Sequence, residues 1–150
     1  MEKKIWFDMD GTIADLYGVD GWLEMLRAEN AEPYRVARPL VNLSALARVL
    51  NHLIREGFEV NIISWTAKFG SPEYNEATAN AKRAWLAEHL ASVEFTHIDI
   101  VEYGTPKQNG RNGYLFDDEV QNREVERHSI RCRQHNRNFE RVDLNPLKPF

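Results

Sequence analysis

A single cysteine, Cys132, stands in 150 residues, so no internal disulfide can form and a reducing compartment is expected. Long apolar runs are missing too. After the basic start, only Ile5, Trp6 and Phe7 precede Asp8, too few for a signal-peptide core or a membrane span, and cytoplasm is the expected location. Charge of one sign is lacking: 19 Lys and Arg against 23 Asp and Glu leave a net charge of −4. That balance excludes a general nucleic-acid coat and a membrane-surface binder. Internal repeats and low-complexity tracts are absent as well. What remains, 43% hydrophobic and 28% charged, is the make-up of one globular domain spanning 1–150.

Periodicity supplies the elements. The run Lys3–Asp8 reads as a buried strand ended by Asp-Gly. Residues 17–40 are less regular, with a short helix around Trp22, Leu23, Met25 and Leu26, and with Pro33 and Pro39 expected to break the chain. From Leu43, the residues Leu43, Leu46, Ala47, Leu50, Leu53 and Ile54 share one helical face, and Gly57 stops that helix. A second strand, "FEVNIIS", covers 58–64. Pro72 opens a further helix to about Leu90, with Ala81, Ala84, Trp85 and Leu90 expected to pack. Strands follow at 96–103 and 113–119, then a helix after Glu119, and "SIRCR" reads as a fifth, edge strand. Alternation of strands and helices predicts a parallel sheet covered on both faces, with ligands bound beyond the carboxyl ends of the strands.

Three predicted strand ends carry acids or hydroxyls: Asp8 and Asp10, Ser64 and Thr66, Asp117 and Asp118. Asp8 and Asp10 flank Met9, so in extended chain they point to one side. Carboxylates gathered at one edge repel unless a cation joins them. With oxygen donors and no Cys or His beside them, Mg²⁺ is the ion expected at Asp8, Asp10, Asp117 and Asp118. Lys107, in the loop before the fourth strand, is placed for phosphate oxygens, and Ser64 for a hydroxyl donor. A carboxylate nucleophile, a neighbouring carboxyl acid/base, a metal, a lysine and a hydroxyl suffice for phosphomonoester hydrolysis.

The stretch "FDMDGT" resembles the first motif, DxDGT, of the haloacid dehalogenase superfamily of phosphohydrolases. "VNIIS" is similar to the second motif, Lys107 to the lysine of the third, and "YLFDDE" to the acidic pair of the fourth, all in family order. A chance DxDGT in a chain of this size is on the order of one in a thousand at average residue usage. The resemblance implies a Rossmann-like three-layer α/β sandwich with a mostly parallel sheet. It implies Asp8 as nucleophile and metal ligand, and Asp10 as acid then base with its backbone carbonyl on Mg²⁺. Asp117 and Asp118 would serve the metal. Ser64 and the N–H of Trp65 would hold the phosphate, and Lys107 would neutralise it.

Within that superfamily the chain looks most like the 5′(3′)-deoxyribonucleotidases, through DMDG, through Lys82-x-x-Trp85, and through "GTPKQN" and "LFDD". The segment between the first two motifs is much shorter than that family's helical cap, so residues 17–40 form a minimal cap or none. The implied substrate is a small phosphorylated molecule, a nucleoside monophosphate first, with nucleic-acid ends or sugar phosphates as the alternative. A non-catalytic binding module of the same fold is the reading from a different class. Homo-oligomerisation or a cap-supplying partner would cover an open site.

Other residues stay with two readings. Lys82 is the substitute should Lys107 prove too distant, and Thr66 stands second to Ser64. Trp65, Lys68 and Phe69 either line the pocket or pack in a surface loop. Trp22, Met25 and Leu26 are read as core packing before a reduced lid. His128, Cys132 and His135 lack a fourth ligand for zinc. The arginines of 123–141 read as a solvated face before a nucleic-acid contact.

Overall fold

Five short strands, four of them clearly marked in the sequence, assemble into one parallel sheet in the computed structural model, which describes residues 3–107 and 111–117 and the backbone of 129–131. In chain order the elements are β1 (Lys4–Phe7), β2 (Ala14–Asp15), α1 (Trp22–Arg27), α2 (Glu32–Val36), β3 (Arg38–Pro39) and α3 (Leu43–Arg55). There follow β4 (Glu59–Trp65), α4 (Pro72–His89), β5 (His97–Val101), β6 (Tyr114–Asp117) and β7 (Ser129–Arg131). The sheet order is β5-β4-β1-β6-β7, with every neighbour pair parallel. β7 is the edge strand expected from "SIRCR". The fold is α/β and Rossmann-like. The expectations for Asp118, for the helix after Glu119 and for the tail from 132 lie outside the described residues.

Alternation along the strands decides what each face buries. Ile5, Phe7, Val60, Ile62 and Phe116 point to one side and meet Leu46 and Leu50 of α3 with Trp85 and Leu86 of α4. On the other side Trp6, Ile63 and Leu115 form a separate buried cluster. Both faces are therefore covered, as a parallel sheet requires. The helices start and stop where their caps allow. Asn42 accepts the Ala45 N–H at the head of α3, and Ser71 accepts the Tyr74 N–H at the head of α4. Gly57, at φ +87°, ends α3 in a backbone conformation that glycine adopts without strain.

The packing stripe of α4 differs from the one expected. Ala81 and Ala84 are only half-buried, while Tyr74, Thr78, Lys82, Trp85 and Leu86 are buried. Spacings of four and three put these five on one helical face. The aliphatic part of a lysine can lie in such a stripe when its ammonium has partners, which the pattern of apolar residues alone does not register.

Residues 16–37 sit on a small antiparallel ribbon, β2 with β3, pairing Ala14 with Pro39 and Asp15 with Arg38. Two expectations for this segment are corrected. Pro33 does not break the chain; it lies in the first turn of α2, where its missing N–H costs nothing. And α1 buries none of its residues fully: of Trp22, Met25 and Leu26, only Leu26 takes part in a described core cluster, half-buried against Leu16, Tyr34 and Tyr74. The segment is held to α4 instead. The Ser71 N–H donates to the Glu29 carboxylate at 2.8 Å, the Tyr74 hydroxyl donates to the Asn30 carbonyl at 3.2 Å, and Arg35 pairs with Glu88. Among the described residues no helix is long and apolar enough to cross a membrane.

Trp85 joins these parts: its ring is fully buried and its indole N–H donates to the Ala37 carbonyl at 2.7 Å, beside β3. Trp85→Ala is expected to lower the unfolding free energy by about 3–5 kcal/mol, the usual range for a buried aromatic, as read by urea denaturation.

Candidate active site

The loop after β1 is built by one carbonyl. Met9 O accepts the N–H groups of Thr12, Ile13 and Ala14 at 2.9–3.1 Å, and Gly11 takes φ +76° to let the chain turn back. A residue with a Cβ would be strained there. This tight turn fixes Asp8 and Asp10 on the wall of a cleft of about 290 Å³ at the carboxyl edge of the sheet. Ser64, Trp65 and Thr66 enter from the end of β4, and Lys107 from the loop before β6. The switch in chain direction lies here: the chain runs outward from β1 through β4 to β5, then crosses to β6 on the far side. Clefts in such sheets form at that point.

Two buried lysines organise the carboxylates. Lys107 Nζ lies 2.9 Å from Asp8 Oδ1 and donates to Asp117 Oδ2 at 2.7 Å. Lys82 Nζ donates to Asp10 Oδ2 at 2.7 Å, to Ser64 Oγ at 2.8 Å and to the Trp65 carbonyl at 2.6 Å. Sequence reasoning treats the two lysines as alternatives, and that is corrected: both are in the site, each with its own aspartate. The signal for Lys82 was present in Lys82-x-x-Trp85, where Trp85 anchors the helix and Lys82 lies one turn before it. The fourth side of Lys82 is closed by the Tyr34 ring, 4.9 Å from its ammonium, a residue not singled out in the sequence. Thr66 also lines the cleft, with a buried hydroxyl that has no partner among the described residues, so Ser64 and Thr66 are both there.

The remaining expectations divide. Trp65 and Lys68 line the cleft; Phe69 does not. Trp22, Leu23, Leu26 and Arg27 line it as well, which is the lid position, with Leu26 also packed against the neighbouring core cluster.

Burial pushes the Asp10 carboxyl above its ordinary value; the Lys82 charge opposes this and the Asp8 charge adds to it. A raised carboxyl is one that can carry a proton to a leaving group. For Lys107, burial works to lower its value, but the Asp8 and Asp117 charges outweigh that and hold it above the usual lysine range. Tyr34 is also pushed up, chiefly by burial.

Among the described residues no three His, Cys, Asp or Glu side chains converge to hold a metal. Asp10 is turned to Lys82, so its carboxylate does not join those of Asp8 and Asp117 as a ligand cluster. Asp8 and Asp117 do come within reach of one ammonium, and two carboxylates with water and phosphate are the usual Mg²⁺ environment. The donor set is all oxygen, which suits that ion.

No protein-family model matches the chain, and no curated protein matches it. Among solved structures it is similar to a D,D-heptose 1,7-bisphosphate phosphatase from Burkholderia thailandensis. The TM-score is 0.51, with 18% identity over 83% of this chain and 71% of that one. This likeness is one of fold: the chain has the Rossmann-like α/β architecture of that phosphatase.

Lys107→Met leaves Asp8 and Asp117 buried without their cation, and a loss of roughly 3–5 kcal/mol in stability is expected near neutral pH. The sign with pH follows from the raised lysine. Its contribution is complete below the ordinary value of 10.5 and is lost as pH rises through the higher folded-state value. Chemical denaturation against pH therefore shows a smaller alkaline loss in the variant.

Proposed function

We propose that the protein is a Mg²⁺-dependent phosphomonoester hydrolase of the haloacid dehalogenase type, acting through an aspartyl-phosphate, with nucleoside monophosphates as substrates. One observation carries this reading: Asp8, paired with Lys107, lines the open cleft together with the protonatable Asp10 and Ser64, both of which Lys82 holds. The order of motifs and the likeness of fold to a phosphatase support it.

The chain's residues divide the work as follows. An oxygen of Asp8 attacks phosphorus in line, the bond to the leaving oxygen breaks, and Asp10 gives that oxygen its proton. Water then attacks the phosphorus of the aspartyl-phosphate, Asp10 takes the water's proton, and the bond to Asp8 breaks to release phosphate. Ser64, whose oxygen accepts from Lys82, keeps its own O–H free to donate to a phosphoryl oxygen. The Trp65 N–H and Lys107 complete the cradle. Mg²⁺, held by the Asp8 and Asp117 carboxylates, the Asp10 carbonyl and Asp118, would supply charge for the phosphoryl oxygens. In a loose phosphoryl transition state, positioning and charge account for most of the rate.

Phosphate release measured with and without Mg²⁺ tests the proposal over deoxy- and ribonucleoside monophosphates and sugar phosphates. Mg²⁺-dependent turnover is expected. Asp8→Asn abolishes it, and Asp10→Asn lowers it by about 10²–10⁴-fold, the span of general acid–base catalysis. A folded protein with no turnover in any of these would sink the catalytic reading in favour of a binding module.

The Asp10 environment also sets a pH dependence. Its carboxyl is raised by burial and restrained by Lys82, so Lys82→Gln moves the basic limb of the kcat profile to higher pH while lowering the maximum rate. An unmoved limb would mean that another group gives the proton.

A further inference from the structure

Exposed apolar side chains are unevenly placed in this molecule. Among the described residues, five large ones are exposed: Tyr17 at 50%, Leu23 at 41%, Val36 at 49%, Phe69 at 95% and Tyr103 at 47%. Tyr17, Leu23 and Tyr103 line the cleft, and Phe69 shares the Lys68 ammonium with Tyr103. Scattered exposed apolar residues mean little, but three of five lining one cleft, with Phe69 beside them across Lys68, mark a binding surface.

The rings alternate with cations along a continuous path. Lys107, beside Asp8, lies 4.8 Å from the Trp65 ring; Trp65 lies 5.0 Å from Tyr103. Lys68 then sits 5.7 Å from Tyr103 and 5.2 Å from Phe69. Phe69 holds φ +60°, an unfavourable backbone for an aromatic residue, with its ring turned out to solvent. Among the described residues, two cations at this mouth, Lys68 and Arg27, have no acidic partner. The two aspartates that line the cleft, Asp8 and Asp10, are already matched to Lys107 and Lys82.

An aromatic surface interleaved with exposed cations, and running on from a phosphate cradle, has the chemistry that holds single-stranded nucleic acid. A mononucleotide brings one ring and no second anion, which leaves Phe69, Lys68 and Arg27 without a use. A protein partner would use the apolar rings, but nothing in it requires that they alternate with ammonium groups leading to Asp8. The overall charge of −4 excludes coating of a duplex but not capture of one strand end by two local cations.

Resting on the phosphohydrolase reading above, we infer that the cleft mouth is a stacking subsite for single-stranded nucleic acid, so that a phosphorylated strand end is held more tightly than the nucleoside monophosphates of that reading. Trp65 and Tyr103 take the terminal base, Phe69 the next one, and Lys68 and Arg27 the internucleotide phosphates.

The test is binding and turnover of short oligothymidylates carrying a 5′- or 3′-phosphate, against thymidine monophosphate. Binding is read by fluorescence anisotropy in EDTA, and turnover by phosphate release with Mg²⁺. One or both oligonucleotides are expected to bind about ten-fold or more tightly than the mononucleotide, with Phe69→Ala and Tyr103→Ala each costing roughly ten-fold, as lost stacking does. Log affinity against log salt has an expected slope of about −1.4 for two single-strand phosphate contacts, falling to about −0.7 in Lys68→Gln. Phe69 and Lys68 are exposed, so these variants keep the fold. Oligonucleotides bound no better than the mononucleotide, or bound equally by the variants, would overturn the inference, and a protein-docking role for the patch gives that second result. Variant-sensitive binding without phosphate release would uphold the subsite and remove the phosphohydrolase reading. Release from mononucleotides with no gain from a longer strand would do the reverse.

Discussion

Two buried ammonium groups hold three aspartates at the edge of this sheet, and the arrangement of the site depends on that match. Asp117 ends β6, Asp8 directly follows the neighbouring β1, and the two would repel one another without Lys107 between them. Asp10 lies just beyond the strand and is restrained by Lys82. Pairing on this scale is not a cheap source of stability, because each charge loses its water. What it gives is position: each carboxylate is aimed by a lysine fixed in an element of its own. Lys82 is rooted in α4 beside the buried Trp85, and Lys107 in a short loop tied by Asp117.

The same pairs explain why the sheet and the insertion behave as one unit. Lys82 reaches the Trp65 carbonyl and Ser64 in β4, Asp10 in the turn after β1, and the Tyr34 ring in α2. Four segments distant in sequence therefore meet at one nitrogen. Around it, Glu29, Asn30 and Arg35 latch the insertion onto α4, while α1, with no buried residue, is left over the cleft. A small insertion on a two-stranded ribbon can shape a mouth without enclosing it. That openness is what lets aromatic rings and cations outside the cradle take part in recognition.

Much of the architecture was legible in the chain. Strands β1, β4, β5 and β6 follow from apolar runs with turn residues after them, and α3 and α4 from their spacing, capped by Asn42, Ser71 and Pro72. The two ribbon strands were not visible, since two residues each carry no period. Pro33 was misread because proline marks both the end of one segment and the first turn of a helix, and only the fold says which. The helix at Trp22 was read as core for the ordinary reason that apolar residues bury. Here Trp22, Leu23 and Leu26 face a cleft, and only Leu26 also packs against a core cluster.

By itself the sequence determined the motif turn, the parallel sheet and the set of acids, hydroxyls and lysines at its edge, because those rest on local spacing and strand alternation. It could not decide how the lysines divide among the aspartates, since Lys82 and Lys107 approach from separate elements, and distance in space is not written in spacing along the chain. Nor could it decide that Tyr34 closes over Lys82, or that Tyr17, Leu23 and Tyr103 gather at one mouth. Those are outcomes of packing, in which residues far apart in sequence are brought together by the burial of others.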